Sequence, residues 1–180
     1  MERPVIERSI NSSFGLIRNN EQSLWLKRED SGLWELSGGG TNNDEFRHKE
    51  VLRREILEET GISVSEKRLR SFAALGQRLH EETSKQFGGI QYGTLFLYYC
   101  NLPGRRPKIT LSSDHTNYRF FYHKEIMENW KEFSSGALWM YFTYLKFQET
   151  REIQEGLLAD RKFWQGKKYF HKKKVDQAIA

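Results

Sequence analysis

The sequence predicts an α+β fold, mixed strands packed around helices, and three observations carry that reading. Its 180 residues, 37% hydrophobic with only three Pro, suit a folded domain with a real core. Short apolar or aromatic-rich runs bounded by Asn, Asp and Gly recur along the chain, the pattern of strands and turns. Between a glycine triplet and Gly61 the apolar residues instead recur at helical spacing.

Taken in order, Ser9 to Arg18 and Ser23 to Arg28 flank the polar cluster Asn19-Asn20-Glu21-Gln22 and read as a hairpin. Asp30-Ser31-Gly32 is a second turn signal, followed by Leu33-Trp34-Glu35-Leu36 and the glycine-rich turn Ser37-Gly38-Gly39-Gly40. The helix that follows has Asn43 or Asp44 to cap it, Phe46, Val51, Leu52, Ile56 and Leu57 as its apolar stripe, and Gly61 as its stop. Strands are expected at Leu69 to Leu75, at Gly89 to Cys100 and at Tyr118 to Tyr122, with Arg78 to Phe87 a polar connection between the first two. Ser134 or Ser135 then caps a helix through Phe147 that carries Leu138, Tyr141, Phe142 and Leu145. Residues 1–150 form the expected domain, and 151–180 a basic extension.

Composition narrows the function. Cys100 has no second cysteine to pair with, the opening Met1-Glu2-Arg3-Pro4 lacks an apolar leader, and Leu95 to Cys100 is the longest clearly apolar run. A reducing cytoplasm and no membrane span are expected. The net charge of +5 is unevenly spread: residues 161–180 hold seven Lys or Arg against Asp176, or +6, and the remaining 160 residues hold 22 basic and 23 acidic groups, or −1. Basicity that sits in the tail does not indicate a nucleic-acid-binding body. His48, His80, His115 and His123 lack metal-ligand spacing and read as structural. Trp25, Trp34, Phe72 and Tyr92 read as core aromatics before base-stacking ones.

The chemistry concentrates in the first helix. Glu55, Glu58 and Glu59 stand at i, i+3 and i+4, so three carboxylates share a face and repel one another. A hard divalent cation, Mg²⁺ or alternatively Mn²⁺, relieves that repulsion through carboxylate oxygens and retained waters.

The run from Gly40 through Arg54-Glu55-Ile56-Leu57-Glu58-Glu59-Thr60-Gly61-Ile62 resembles the Nudix box, GX5EX7REUXEEXGU with U aliphatic. Gly40, Arg54, Glu55, Ile56, Glu58, Glu59, Gly61 and Ile62 fit it, while Phe46 stands where the pattern has its first glutamate, with Glu45 beside it. Either the loop carries one extra residue, pairing Gly39 with Glu45, or that glutamate is missing. Upstream, Leu33-Trp34-Glu35-Leu36-Ser37-Gly38-Gly39 resembles the family's strand and Gly-rich turn, with Ser37 where proline is common.

The resemblance implies an α/β/α sandwich with a mixed central sheet and a metal-binding catalytic helix after the Gly-rich loop. It implies hydrolysis of a diphosphate linkage, with Glu55, Glu58 and Glu59 holding metal, Arg54 bracing the loop and a glutamate, and Gly39, Gly40 and Arg28 on the substrate side. The general base stays open. Asp114, in Ser112-Ser113-Asp114-His115, falls nearest the family's late-loop glutamate but is one methylene shorter, and Glu81, Glu82 and Glu55 are the other candidates.

The family's markers for ADP-ribose, diadenosine polyphosphate, NADH and coenzyme A substrates are absent from this sequence, which leaves a nucleoside triphosphate or modified nucleotide in the lead. Two further readings stand beside it: a 5′-end RNA pyrophosphohydrolase that uses the basic tail, and a non-catalytic nucleotide sensor. The partners implied are a nucleotide and, through the tail, RNA; a homodimer is left open.

Overall fold

The computed structural model describes residues 11–41, 47–78 and 92–152. The chain divides into two compact units, residues 1–141 and 142–180, and within the second the described residues 142–152 are helical.

The first unit is built on a seven-stranded mixed sheet. Its strands are β1 (Ser12–Asn19), β2 (Gln22–Arg28), β3 (Trp34–Glu35), β4 (Ser37–Gly40), β5 (Arg70–Arg78), β6 (Tyr92–Asn101) and β7 (His115–Tyr122). The central path runs β3-β2-β1-β6-β5, with β4 pairing β1 and β7 pairing β2. β1 lies parallel to β6 from Ser12↔Leu95 to Arg18↔Asn101, and antiparallel to β4. The expected hairpin forms, but β1 and β2 share only Arg18↔Ser23 and Asn19↔Gln22 before they part to different neighbours. Asn20 takes the left-handed conformation (φ 55°) that the two-residue turn requires.

One face of the sheet is covered by α1 (His48–Thr60). Leu52 and Ile56 pack there on Ile17, Leu24, Leu26, Ile62, Val64, Leu69 and Phe120. On the opposite face Trp25 meets Phe133 at 4.8 Å and Tyr141 at 5.7 Å edge to face, and Trp34 meets Phe121 at 5.0 Å. Phe133 and Tyr141 belong to segments after β7, where α2 (His123–Glu128) precedes a helix, α3, beginning at residue 135. Helices on both faces of a mixed sheet are the expected α+β sandwich.

Several details differ from expectation. The glycine-rich segment is a strand, β4, because extended backbone without side chains can lie flat against β1 from Gly15↔Ser37 to Ser12↔Gly40. α1 begins at His48, with Arg47 in the N-cap position and no side-chain cap. Asn43, Asp44, Glu45 and Phe46 lie outside the described residues, as does most of the expected polar connection. Leu57, expected in the apolar stripe, is 52% exposed, and Phe142 is 40% exposed. Gly61 ends α1 as expected, at φ 71° with its N–H on Leu57 O. Ser134 is the observed cap of α3, its Oγ accepting from Ala137 N at 3.2 Å. β7 starts at His115, earlier than expected, and α2 has no counterpart among the expected elements; its first turn is closed by Tyr122 N donating to Glu125 Oε2 at 2.8 Å.

Candidate functional site

The acidic face of α1 is set by what the helix buries. Val51, Leu52, Ile56 and Thr60 are buried, which turns Glu55 and Glu59 toward β4 and leaves Glu58 on the open flank. Glu55 reaches Gly39, where an added Cβ would sit 2.6 Å from Glu55 Oε1. Glu59 Oε2 accepts from Ser37 Oγ at 2.6 Å and from Gly38 N at 3.1 Å. Gly38 has φ 148°, and a side chain there would overlap Ser13 O and Phe14 Cα. Gly38 thus lets β4 approach β1, and Gly39 leaves room for a carboxylate.

Arg54 links the outer members of the cluster. One of its nitrogens lies 3.0 Å from Glu55 Oε1 and 2.9 Å from Glu58 Oε2, and the other donates to Gly40 O at 3.4 Å. Glu58 is half exposed, whereas the Glu55 side chain is 15% exposed.

Burial pushes the Glu59 carboxyl up to about 7, with Glu55 adding to the rise. The Ser37 hydroxyl, the charge of His115 and the Gly38 N–H pull the other way. A carboxyl held in this state takes up a cation in exchange for a proton.

Around this cluster lie groups that the sequence pattern did not single out. Glu35 Oε1 sits 3.3 Å from His115 Nε2 and 3.5 Å from an Arg28 guanidinium nitrogen. His115 Nδ1 faces Ser112 Oγ at 3.1 Å, and its side chain is 1% exposed. The signal for Glu35 was present: in an alternating strand it must face opposite to buried Trp34. Ser37 gave no signal beyond its place before the glycines.

Arg28 also binds Asp30 at 2.9 and 2.7 Å, which raises the Arg28 pKa and lowers that of Asp30. Asp114 is exposed. Its carbonyl accepts from Glu29 N at 2.9 Å, and its carboxylate faces Ser113 Oγ at 3.5 Å. Glu81 and Glu82 lie outside the described residues. Trp25 and Trp34 are buried in the core.

The donor set suits a hard divalent cation by its chemistry: Glu55, Glu58 and Glu59 offer only carboxylate oxygens, and both hydrogen bonds to Glu59 fall on Oε2. Among the described residues, however, no three acidic, His or Cys side chains converge as a metal shell. Arg54 supplies the positive charge between Glu55 and Glu58 in this arrangement. Among the described residues no helix is long and apolar enough to cross a membrane.

A mixed sheet between helices, with an acidic helix following a Gly-rich strand, sets a cluster of carboxylates beside that strand. The NUDIX domain model matches residues 10–141, and the chain belongs to the Nudix family. Many solved structures share the fold, and three of them illustrate the likeness to this chain. The E. coli ORF135 protein aligns at TM-score 0.61 and 17% identity, over 83% of this chain and 98% of that one. The MutT protein of Methanosarcina mazei Go1 aligns at TM-score 0.58 and 24% identity, over 82% and 99%. A bifunctional NMN adenylyltransferase/ADP ribose pyrophosphatase of Francisella tularensis, complexed with AMP and a Mn ion, aligns at TM-score 0.58 and 18% identity. The alignment covers 78% of this chain, which spans 42% of that enzyme's length. A search of curated proteins gave no match.

Proposed function

We propose that the protein is a metal-dependent pyrophosphohydrolase acting on a nucleoside diphosphate derivative, with a nucleoside triphosphate or modified nucleotide as the leading substrate. The observation that carries this is the placing of Glu59 and Glu55 against Gly38 and Gly39, with Glu58 and Arg54 on the open flank of the same helix. A Mg²⁺ or Mn²⁺ ion bound there would screen the phosphates and lower the pKa of a water molecule. Glu55, Glu58 and Glu59 would hold it. Glu58 can be released for that purpose because its ion pair with Arg54 is an exposed i,i+4 contact worth only about 0.3–0.5 kcal/mol.

In this reading the backbone of Gly39 and Gly40 would approach the diphosphate once Glu55 turns to the metal, and Arg28, on the edge of the same face, would offer it a cation on release from its exposed pair with Asp30. Asp114 and Glu55 are the described candidates for the group that takes the proton from water. Asp114→Asn and Glu55→Gln separate them, because only the loss of a ligand also weakens metal binding. Residues 1–150 carry this activity in our reading, with 151–180 an extension, and the buried Cys100 suits a reducing cytoplasm.

The test is release of phosphate or pyrophosphate from a panel of nucleotides with Mg²⁺ or Mn²⁺. Glu59→Gln should lower turnover about a hundredfold, or about 2.7 kcal/mol of transition-state stabilisation, while the fold is retained. Activity within threefold of wild type at saturating Mg²⁺ would overturn the assignment. The +6 tail favours a second reading, a 5′-end RNA pyrophosphohydrolase, which capped or triphosphorylated RNA in the same panel would reveal.

A further inference from the structure

We propose that His115 is a positioning residue for the metal-binding end of α1, holding Glu59 in place from two sides through Glu35 and Ser112. The proposal deepens the hydrolase reading above and rests on it for the use of Glu59.

The placement of His115 is produced by a break in the sheet. β7 pairs β2 through Leu26↔Tyr118 and Lys27↔Asn117, but the next pair is Arg28↔His115, so Thr116 is an extra residue opposite the Lys27/Arg28 step. Side chains alternate along a strand, and a one-residue bulge reverses the phase. Without it, His115 would share the face of Asn117, Arg119 and Phe121, away from α1. With it, His115 shares the face of Arg28 and Leu26, where Leu26 packs under α1. The bulge delivers the imidazole to the catalytic face.

There, both ring nitrogens are engaged: Nε2 with Glu35 Oε1 at 3.3 Å and Nδ1 with Ser112 Oγ at 3.1 Å. Each partner leads to Glu59 by a short path. Glu35 lies two residues before Ser37, whose hydroxyl grips the Glu59 carboxylate at 2.6 Å. Ser112 N approaches the Glu59 carbonyl at 3.4 Å, and Thr110 N donates to Thr60 O at 2.9 Å beside it. His115 is therefore the crosspiece between the segment that holds the side chain of Glu59 and the loop that holds its backbone. A buried group chosen for packing alone would be apolar, since a buried imidazole carries a desolvation cost that only satisfied nitrogens offset. Partners that orient a metal ligand typically shift metal affinity by about 10–100-fold when removed.

The experiment measures Mn²⁺ binding to nucleotide-free protein by electron paramagnetic resonance, alongside thermal unfolding and steady-state kinetics. His115→Ala should weaken Mn²⁺ binding about tenfold or more and lower kcat with little change in nucleotide KM. His115→Gln, which can restore one of the two bonds, and Ser112→Ala, which removes one, should fall between. If His115→Ala does not fold, the latter two variants decide the matter. Wild-type Mn²⁺ affinity in the folded variants, whatever their unfolding temperature, would reduce His115 to a structural residue and overturn the proposal. A wild type that binds no Mn²⁺ overturns it as well. His115-dependent Mn²⁺ binding in a protein that cleaves no nucleotide would instead refute the proposed activity and leave this inference standing.

Discussion

At Glu59, a single residue ties stability to the proposed metal site. The folded chain keeps the carboxyl protonated up to about pH 7, whereas the ordinary glutamate value is 4.5. Between those values the folded state holds a proton that the unfolded state has released. By linkage, stability then falls as pH rises through that window, by at most about 3 kcal/mol for a shift of this size. In EDTA, wild-type stability measured against Glu59→Gln should therefore decline from about pH 5 to about pH 8, because the Gln variant lacks the titrating group. Saturating Mg²⁺ should reverse the trend, since a cation binds the deprotonated form. A difference between the two proteins that stays flat with pH in EDTA would contradict the assigned burial of Glu59.

Among the elements, β4 and α1 make the site together, and two adjacent glycines divide the work. At Gly38 the backbone conformation and the closeness of Ser13 and Phe14 both exclude a side chain. At Gly39 the three nearest atoms all belong to the carboxylate of Glu55, the end of a side chain that can move. Gly38→Ala should thus destabilise the fold by about 2–4 kcal/mol. Gly39→Ala should leave the unfolding temperature within a few degrees of wild type yet cost about tenfold or more in turnover by displacing Glu55. Equal loss of stability in both variants would refute this division.

The same two elements show what the sequence could reveal. The i, i+3, i+4 spacing of the glutamates and the stop at Gly61 are local and were readable. That Ser37–Gly40 would be a strand was not readable, because glycine carries no strand signal and its pairing with β1 is nonlocal. The same holds for β7. Its register slips at Thr116, a residue with nothing in its local pattern to mark a bulge, so nothing set His115 apart from the other histidines, which read as structural for want of metal-ligand spacing. Leu57 shows the converse, since its apolar side chain matched the stripe but points to a side of α1 that leaves it half exposed.

For the whole molecule the question is charge. The 160 residues at −1 include a site that would bind anions through metal, and residues 161–180 carry +6. If the tail holds RNA, deleting residues 161–180 should weaken RNA binding strongly and flatten its dependence on salt, by about one unit of slope for each phosphate the tail no longer neutralises. Hydrolysis of a free nucleotide would survive either way, because none of the carboxylates on α1 is removed. We expect both properties to be nearly unchanged. Trp164, Tyr169 and Phe170 interleave with the lysines, a composition suited to packing on protein as much as to stacking on bases. Filter binding at several salt concentrations, run beside a nucleotide hydrolysis assay on the same truncated protein, separates the two cases. Normal nucleotide hydrolysis combined with loss of salt-sensitive RNA binding would reverse this expectation and make RNA ends the leading substrate.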